Sequence, residues 1–228
     1  MFARESDMAT AVIRWLNRGG MTVKREFVTP WGICDLVGLK FDKVHVQHRL
    51  KLKQTKPVSS ILRARLLLQI PDVGTRKSIT LDKLVQQIGP VIPAETIYEE
   101  TARLIEDRFI LFSSVGRLQK KNGWMPLQKR LVAVELKLTR IEEAMRQALN
   151  NLGFAEESYV GLPADAARRV ASNPSRWSVF FDKGIGLLGV AQHGCRVLIP
   201  PGKTNHWVNS DLQFYCVEKF WRTRSKDS

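Results

Sequence analysis

Cysteine is scarce in this chain: Cys34, Cys195 and Cys216 are the only three in 228 residues, odd in number and far apart. No Cys-x-x-Cys pair occurs, so neither a disulfide framework nor a zinc knuckle is indicated. The four histidines, His45, His48, His193 and His206, form no zinc-hydrolase spacing. His45-x-x-His48 lies in a basic, strand-like stretch, where such a spacing arises more often by accident than as a metal site. Long apolar runs are also missing. No stretch approaches the roughly 20 residues of a membrane span. The opening MFARESDMATAV lacks the long apolar core of a signal peptide. The chain therefore reads as soluble and intracellular, with no membrane partner. It has no internal repeat and no low-complexity linker.

Acids are few relative to cations: 22 Asp and Glu against 36 Lys and Arg, a net charge of +14. A polyanion is the simplest partner for that surplus, and nucleic acid is the commonest one. A merely soluble basic surface is the alternative, but the charge is unevenly spread. Lys40 to Arg65 holds eight Lys or Arg and one acid, Asp42, and from Asp165 onward cations outnumber acids ten to five. Lys40, Arg49, Lys51 and Lys53 are candidates to line a nucleic-acid groove, although each alone is most often a solvated charge.

Residues 5–18 predict a helix, with Met8, Ala11, Val12, Trp15 and Leu16 as its apolar stripe and Gly19-Gly20 as its stop. Glu5 falls within the width of that stripe, and an inward acid needs a reason. Its simpler role is to precede an N-cap at Ser6 and favour the positive helix end. MTVKREFVTPWGICDLVGLKF then predicts two strands around a Pro30-Trp31-Gly32 turn. In the second, Ile33, Asp35, Val37 and Leu39 share a face, which leaves Asp35 a lone carboxylate among apolar residues. The run KVHVQHRLKLKQTK follows and reads as a basic strand.

Residues 58–123 have a different texture. SSILRARLLLQI predicts a helix, TLDKLVQQIG a second with Thr80 as N-cap and Gly89 as stop, and AETIYEETARLIEDR a third. FILFSSVGRLQKKNGW predicts two short strands around a turn. Helix, helix, helix, hairpin is the order of a winged helix-turn-helix. Its third helix would read a major groove, yet it carries Glu95, Glu99, Glu100, Glu106 and Asp107 against Arg103 and Arg108. Acids facing phosphate are repelled. The wing, with Arg117, Lys120 and Lys121, is the better DNA candidate; dimerisation or bracing of the main domain competes with it.

RLVAVELKLTR, residues 130–140, predicts an apolar strand that sets Glu135 and Lys137 on one face. IEEAMRQALNNLGF predicts an amphipathic helix burying Ile141, Ala144, Met145, Ala148, Leu149 and Leu152, with Gln147 on the flank. A strand SYVGLP, a basic helix ADAARRVAS and a hairpin GIGLLGVAQHGCRVLIPP turning near His193-Gly194 follow. Trp177, Phe180 and Phe181 read as core residues, with stacking on bases as the competing role.

If the two acid-bearing strands pair and helix 5–18 packs on them, Asp35 and Glu135 approach closely. Two such carboxylates repel by about 4 kcal/mol at 4 Å and an effective dielectric near 20. A shared proton, Lys137 or a divalent cation would offset that cost. Oxygen ligands at an open site suit Mg²⁺ or Mn²⁺, and a metal beside a lysine suits phosphodiester hydrolysis. The plain alternative for Glu135 and Lys137 is an ion pair at an exposed strand end.

The segments ESDMATAVIRWLNRGGMTVKREF, WGICDLVGLKF, RLVAVELKLTR, AMRQALNNLGFAEESYVGLP and KGIGLLGV together resemble the PD-(D/E)XK, or restriction-endonuclease-like, nuclease superfamily. The resemblance covers about residues 1–57 and 124–200. It implies an α/β fold, a mixed sheet flanked by helices, and Mg²⁺-dependent cleavage of DNA. Carried over residue by residue, it makes Asp35 and Glu135 metal ligands with the Leu136 main-chain carbonyl. Lys137 becomes the catalytic lysine, Glu5 the helical acid at the metal, and Gln147 a supporting polar residue. Cys34 stands where many members have proline. The 99 residues between Asp35 and Glu135 exceed the short hairpin usual in the family. An inserted winged helix over 58–123, between core segments 1–57 and 124–228, accounts for them if its ends lie close together.

The expected function is a divalent-metal-dependent DNA endonuclease, and a homodimer would let two sites act on two strands. A non-catalytic winged-helix regulator on an inactive nuclease core is the alternative. A structural subunit using the acidic helix 94–107 as its partner surface is a third.

Overall fold

A computed structural model describes residues 2–58, 60–121, 125–202 and 208–224. His206 and the Trp124 end of the expected wing lie outside the described residues. The chain is mixed α/β and divides into two compact units: residues 1–41 with 128–209, and residues 42–127 with 210–228.

The first unit is built on a six-stranded mixed sheet flanked by helices, in the order β1-β2-β6-β7-β8-β9. Its strands are β1 (Thr22–Thr29), β2 (Gly32–Phe41), β6 (Gln128–Leu136), β7 (Glu157–Pro163), β8 (Gly186–Ala191) and β9 (Gly194–Ile199). β1, β2 and β6 pair antiparallel, β6, β7 and β8 parallel, and β9 returns antiparallel on β8. Parallel neighbours need a crossover. Helices α6 (Ile141–Asn151) and α7 (Ala164–Ala171), with the single turn α8 (Val179–Asp182), lie in those two crossovers.

Covered on both faces, the central strands read as continuous apolar runs; Ser158 to Leu162 of β7 are all buried. Helix α1 (Glu5–Arg18) buries Met8, Val12 and Leu16 against Leu36, Val132, Val134 and Leu136. Helices α6 and α7 bury Ala144, Ala148, Leu152, Ala167 and Val170 with Val160, Leu162 and Leu187 in a separate cluster. Asp35 and Glu135, 99 residues apart in sequence, arrive on adjacent strands, because β2 pairs with β6 from Phe41↔Gln128 to Leu36↔Val134.

The second unit contains α2 (Lys43–Lys51), α3 (Ile61–Gln69), β3 (Ile79–Thr80), α4 (Leu81–Ile88), α5 (Ala94–Glu106), β4 (Ile110–Phe112), β5 (Arg117–Lys120) and α9 (Ser210–Arg224). Its three strands form a small sheet in the order β3-β5-β4. Leu66, Leu67, Leu84, Ile97, Leu104, Phe109 and Leu118 are among its core residues. Where the chain enters and leaves residues 42–127, the Asp42 N–H donates to the Leu127 carbonyl at 2.8 Å, so the two ends lie together.

Several expectations need correction. The basic run after Phe41 is a helix: the Asp42 carboxylate caps it, accepting from the Val44 and His45 N–H groups. The alternation of Val44, Val46, Leu50 and Leu52 that mimics a strand leaves Val44 exposed. The expected 58–123 segment falls inside the second unit, which begins at Asp42 and takes in the C-terminal helix α9. The cap of α1 is Arg4, whose N–H donates to Asp7 Oδ2 at 2.9 Å, and not Ser6. Phe180 is buried, but Phe181 is exposed.

Candidate active site

Four sequence-predicted residues gather in the first unit, at the ends of β2 and β6 nearest α6. Asp35 lies one step beyond Leu36↔Val134 in the antiparallel register, opposite Glu135. Its Oδ2 accepts the Leu136 N–H at 2.7 Å. Glu135 is 2% exposed, and its Oε1 accepts from the Asn151 side-chain amide at 2.7 Å. Its other oxygen, Oε2, is buried without a hydrogen-bond partner, and so is Gln147 Oε1 on the same helix as Asn151. Both residues line a cavity of about 50 Å³, shared with Asn151 and with Trp31 and Ile33 of the β1–β2 hairpin.

Burial dominates the electrostatics. It pushes the Glu135 carboxyl up from its ordinary value near 4.5 to about 7, partly countered by the Asn151 hydrogen bond and reinforced by the Asp35 charge. Burial, with the negative charge of Glu135 behind it, also raises the Cys34 thiol well above its usual range. Cys34 Sγ lies 3.5 Å from Asn151 Nδ2. The carboxylate pair is thus served by the Leu136 N–H and the Asn151 amide. The Cys34 thiol is a further neutral group that favours the ionised Glu135, while Glu135 Oε2 has no partner at hydrogen-bond geometry. Leaving a buried acceptor unmade costs roughly 1–3 kcal/mol and more when it is charged.

Lys137 follows the last residue of β6 and is 5% exposed. Its Nζ lies 3.7 Å from Glu5 Oε2 and 4.0 Å from Glu143 Oε1. Glu5 Oε1 also accepts from the Leu138 N–H at 3.4 Å. The resemblance implied Glu5 as a helical acid at the metal; its carboxylate lies beside Lys137 and the Leu138 N–H. Among the described residues, no group of three or more His, Cys, Asp or Glu side chains is arranged to hold a metal ion. The oxygens that fit a hard cation are those of Asp35 and Glu135, the latter with its free Oε2.

The register of β2 runs unbroken from Ile33 to Leu39, so Ile33, Asp35, Val37 and Leu39 share a face as expected, and both faces of the strand are covered beyond Ile33. Ile33 is exposed, whereas Cys34, Leu36 and Val37 are all buried. Across from Asp35, between the pairs Arg25↔Leu36 and Phe27↔Cys34, Glu26 has a left-handed backbone with φ 51°. That conformation costs a non-glycine residue roughly 1–2 kcal/mol.

Asn151 and Glu143 escaped the sequence reading, which set Cys34 beside Asp35 but gave it no role. Glu143, Gln147 and Asn151 stand at intervals of four along α6, the spacing that puts residues on one helix face. That polar stripe beside an apolar one was the available signal.

The basic candidates scatter. Lys40, Lys51, Lys53 and Arg117 are exposed and Lys121 is half-buried. Lys120, largely buried, pairs with Asp72 at 3.4 Å. Arg49 is a correction: it is fully buried, its Nη1 donating to Glu218 Oε1 of α9 at 2.6 Å, and it lines no groove. Within the second unit, Arg63 pairs with Glu100, and Lys56 with Asp107. Two of the acids that seemed set against phosphate are therefore neutralised internally.

No family model, curated protein or solved structure matches this chain.

Proposed function

We propose that this protein is a divalent-metal-dependent DNA endonuclease of the PD-(D/E)XK type. The observation that carries the reading is the partnerless, buried Oε2 of Glu135 opposite Asp35 and two residues before a buried lysine. An oxygen in that state calls for a proton or a cation. Asp35, Glu135 and the Leu136 carbonyl would hold Mg²⁺ or Mn²⁺, which supplies charge neutralisation at the phosphate and an acidified water.

The chain's own residues do the rest. Leu136 N–H fixes the Asp35 carboxylate, and Asn151 fixes that of Glu135, so both oxyanions are held before substrate arrives. Glu5 and Glu143 flank Lys137 and orient its side chain at the end of β6. Its ammonium would then orient the attacking water or stabilise charge that develops on the phosphate. The net charge of +14 favours a polyanionic substrate. In the second unit, α3, α4 and α5 precede the β4–β5 hairpin, with β3 added to its edge. That order supports a winged helix-turn-helix, a module suited to duplex DNA.

The test is incubation of the purified protein with single-stranded, duplex and branched DNA in Mg²⁺, Mn²⁺ or EDTA. Cleavage that needs metal and vanishes in Glu135→Ala and Lys137→Ala is expected. Salt-sensitive binding without cutting, unchanged in both variants, would favour a non-catalytic regulator instead.

A further inference from the structure

Beside the acidic pair, the β1–β2 hairpin presents an apolar tip that the cleavage reading leaves unused. Val28, Trp31 and Ile33 are all about half exposed, and Val28 pairs directly with Ile33 across the hairpin. Single exposed apolar residues are ordinary; three at one tip beside a polar cavity are less so.

The indole of Trp31 is seated. A Cβ built on Gly153 would fall 2.9 Å from Trp31 Cη2, so the ring edge rests on the bare backbone of Gly153 and a side chain there would push it aside. Thr29 Oγ1 accepts the Trp31 N–H at 3.3 Å and donates to the Gly32 carbonyl at 3.0 Å, which ties the turn to itself. Gly32, at φ 138°, supplies a backbone geometry closed to other residues. The outcome is a tryptophan held by one edge, with 51% of its surface exposed, lining the cavity that Glu135 also lines.

We propose that Trp31 is a stacking platform for an unpaired nucleobase of the strand being cut, next to the scissile phosphate. This rests on the nuclease reading above. The cavity of about 50 Å³ has room for a water or two and not for a base. The base therefore lies on the exposed indole, outside the cavity, while its phosphate faces Asp35 and Glu135. Bases inside a duplex are stacked on both sides and offer the indole no free face. The preferred substrate is thus single-stranded DNA, or a flap, end or bubble. Every base has a π-face, so the contact is tolerant of sequence.

The experiment measures binding of the full-length protein to a labelled 20-mer, first in EDTA and then in Ca²⁺. Three forms are compared: single-stranded, duplex, and single-stranded with a run of abasic sites. Trp31→Ala should weaken binding of the ordinary single strand about ten-fold or more, and Trp31→Phe should restore most of it. The duplex and the abasic strand should be affected less than two-fold. Equal affinity of wild type and Trp31→Ala for the single strand overturns the proposal, as does an equal loss on the abasic strand or no single-strand binding by wild type. Thermal melting of both variants checks folding. Should Trp31→Ala fail to fold, the Trp31→Phe and Trp31→Leu pair decides: equal affinity for the single strand overturns stacking. A separate cleavage assay with Mg²⁺ or Mn²⁺ tests the nuclease reading: base-dependent binding without cleavage would fail that reading alone.

Discussion

The side-chain amide of Asn151 donates to Glu135 Oε1 at 2.7 Å, and by doing so orients a buried carboxylate whose second oxygen has no partner. One residue of α6 thus sets the direction, and part of the acidity, of a group on the neighbouring strand. The hydrogen bond favours the ionised form, whereas burial and Asp35 oppose it.

Asn151→Ala should remove that stabilisation. The Glu135 carboxyl should then titrate above about 7, the value it has with the amide in place. The acid limb of any pH–rate profile would move to higher pH. Loss of the buried hydrogen bond should cost roughly 1–3 kcal/mol of stability. Denaturant melts and the pH dependence of cleavage report the two effects separately.

Glu135 also makes stability depend on pH. Its folded pKa, about 7, lies above its ordinary value near 4.5, so between those limits the native state holds a proton that the unfolded chain has released. Stability should therefore fall as pH rises from 4.5 to 7 and level off above, by about 2–4 kcal/mol. Glu135→Gln should flatten this decline and be the more stable protein at pH 8 in EDTA. Melting curves at pH 5, 6, 7 and 8 check it. Mg²⁺ should raise the wild-type melting temperature at pH 8 and leave that of the variant unchanged.

Arg49 and Glu218 form a buried ion pair in the second unit, with the Val58 N–H also donating to Glu218 Oε2 at 3.2 Å. Arg49→Met should cost about 3–5 kcal/mol, since it strands a buried carboxylate. Arg49→Met with Glu218→Leu should recover much of that loss. A double-mutant cycle in urea measures it, and the double variant should bind DNA as wild type does.

Glu26 carries left-handed backbone at the position facing Asp35. Glu26→Gly should stabilise the protein by about 1 kcal/mol, by removing the Cβ penalty. An unchanged or lower chemical-denaturation midpoint would count against strain at this position.

The local features were legible in the sequence because their causes are local. The stripe of Met8, Val12 and Leu16 gave α1, Thr80 and Gly89 bounded α4, and Pro30-Trp31-Gly32 turned β1 into β2. The apolar run of residues 130–138 and the stripe of α6 likewise follow from side-chain period alone. Where period and capping disagreed, period misled: alternation after Phe41 resembled a strand, yet the Asp42 cap and the burial of Arg49 made it a helix.

Sequence by itself thus settled which segments are helix or strand over most of the chain, and which acids sit among apolar neighbours. Only the tertiary structure decided which partners those acids meet. It put Asp35 beside Glu135 across 99 intervening residues, turned Glu5 toward Lys137, set Asn151 on Glu135, and buried Arg49 against a helix 169 positions away. The physical reason is one of range. Helical and strand periods and end caps act over a few residues, whereas the partner of a buried charge is whatever the packed chain brings within about 4 Å of it.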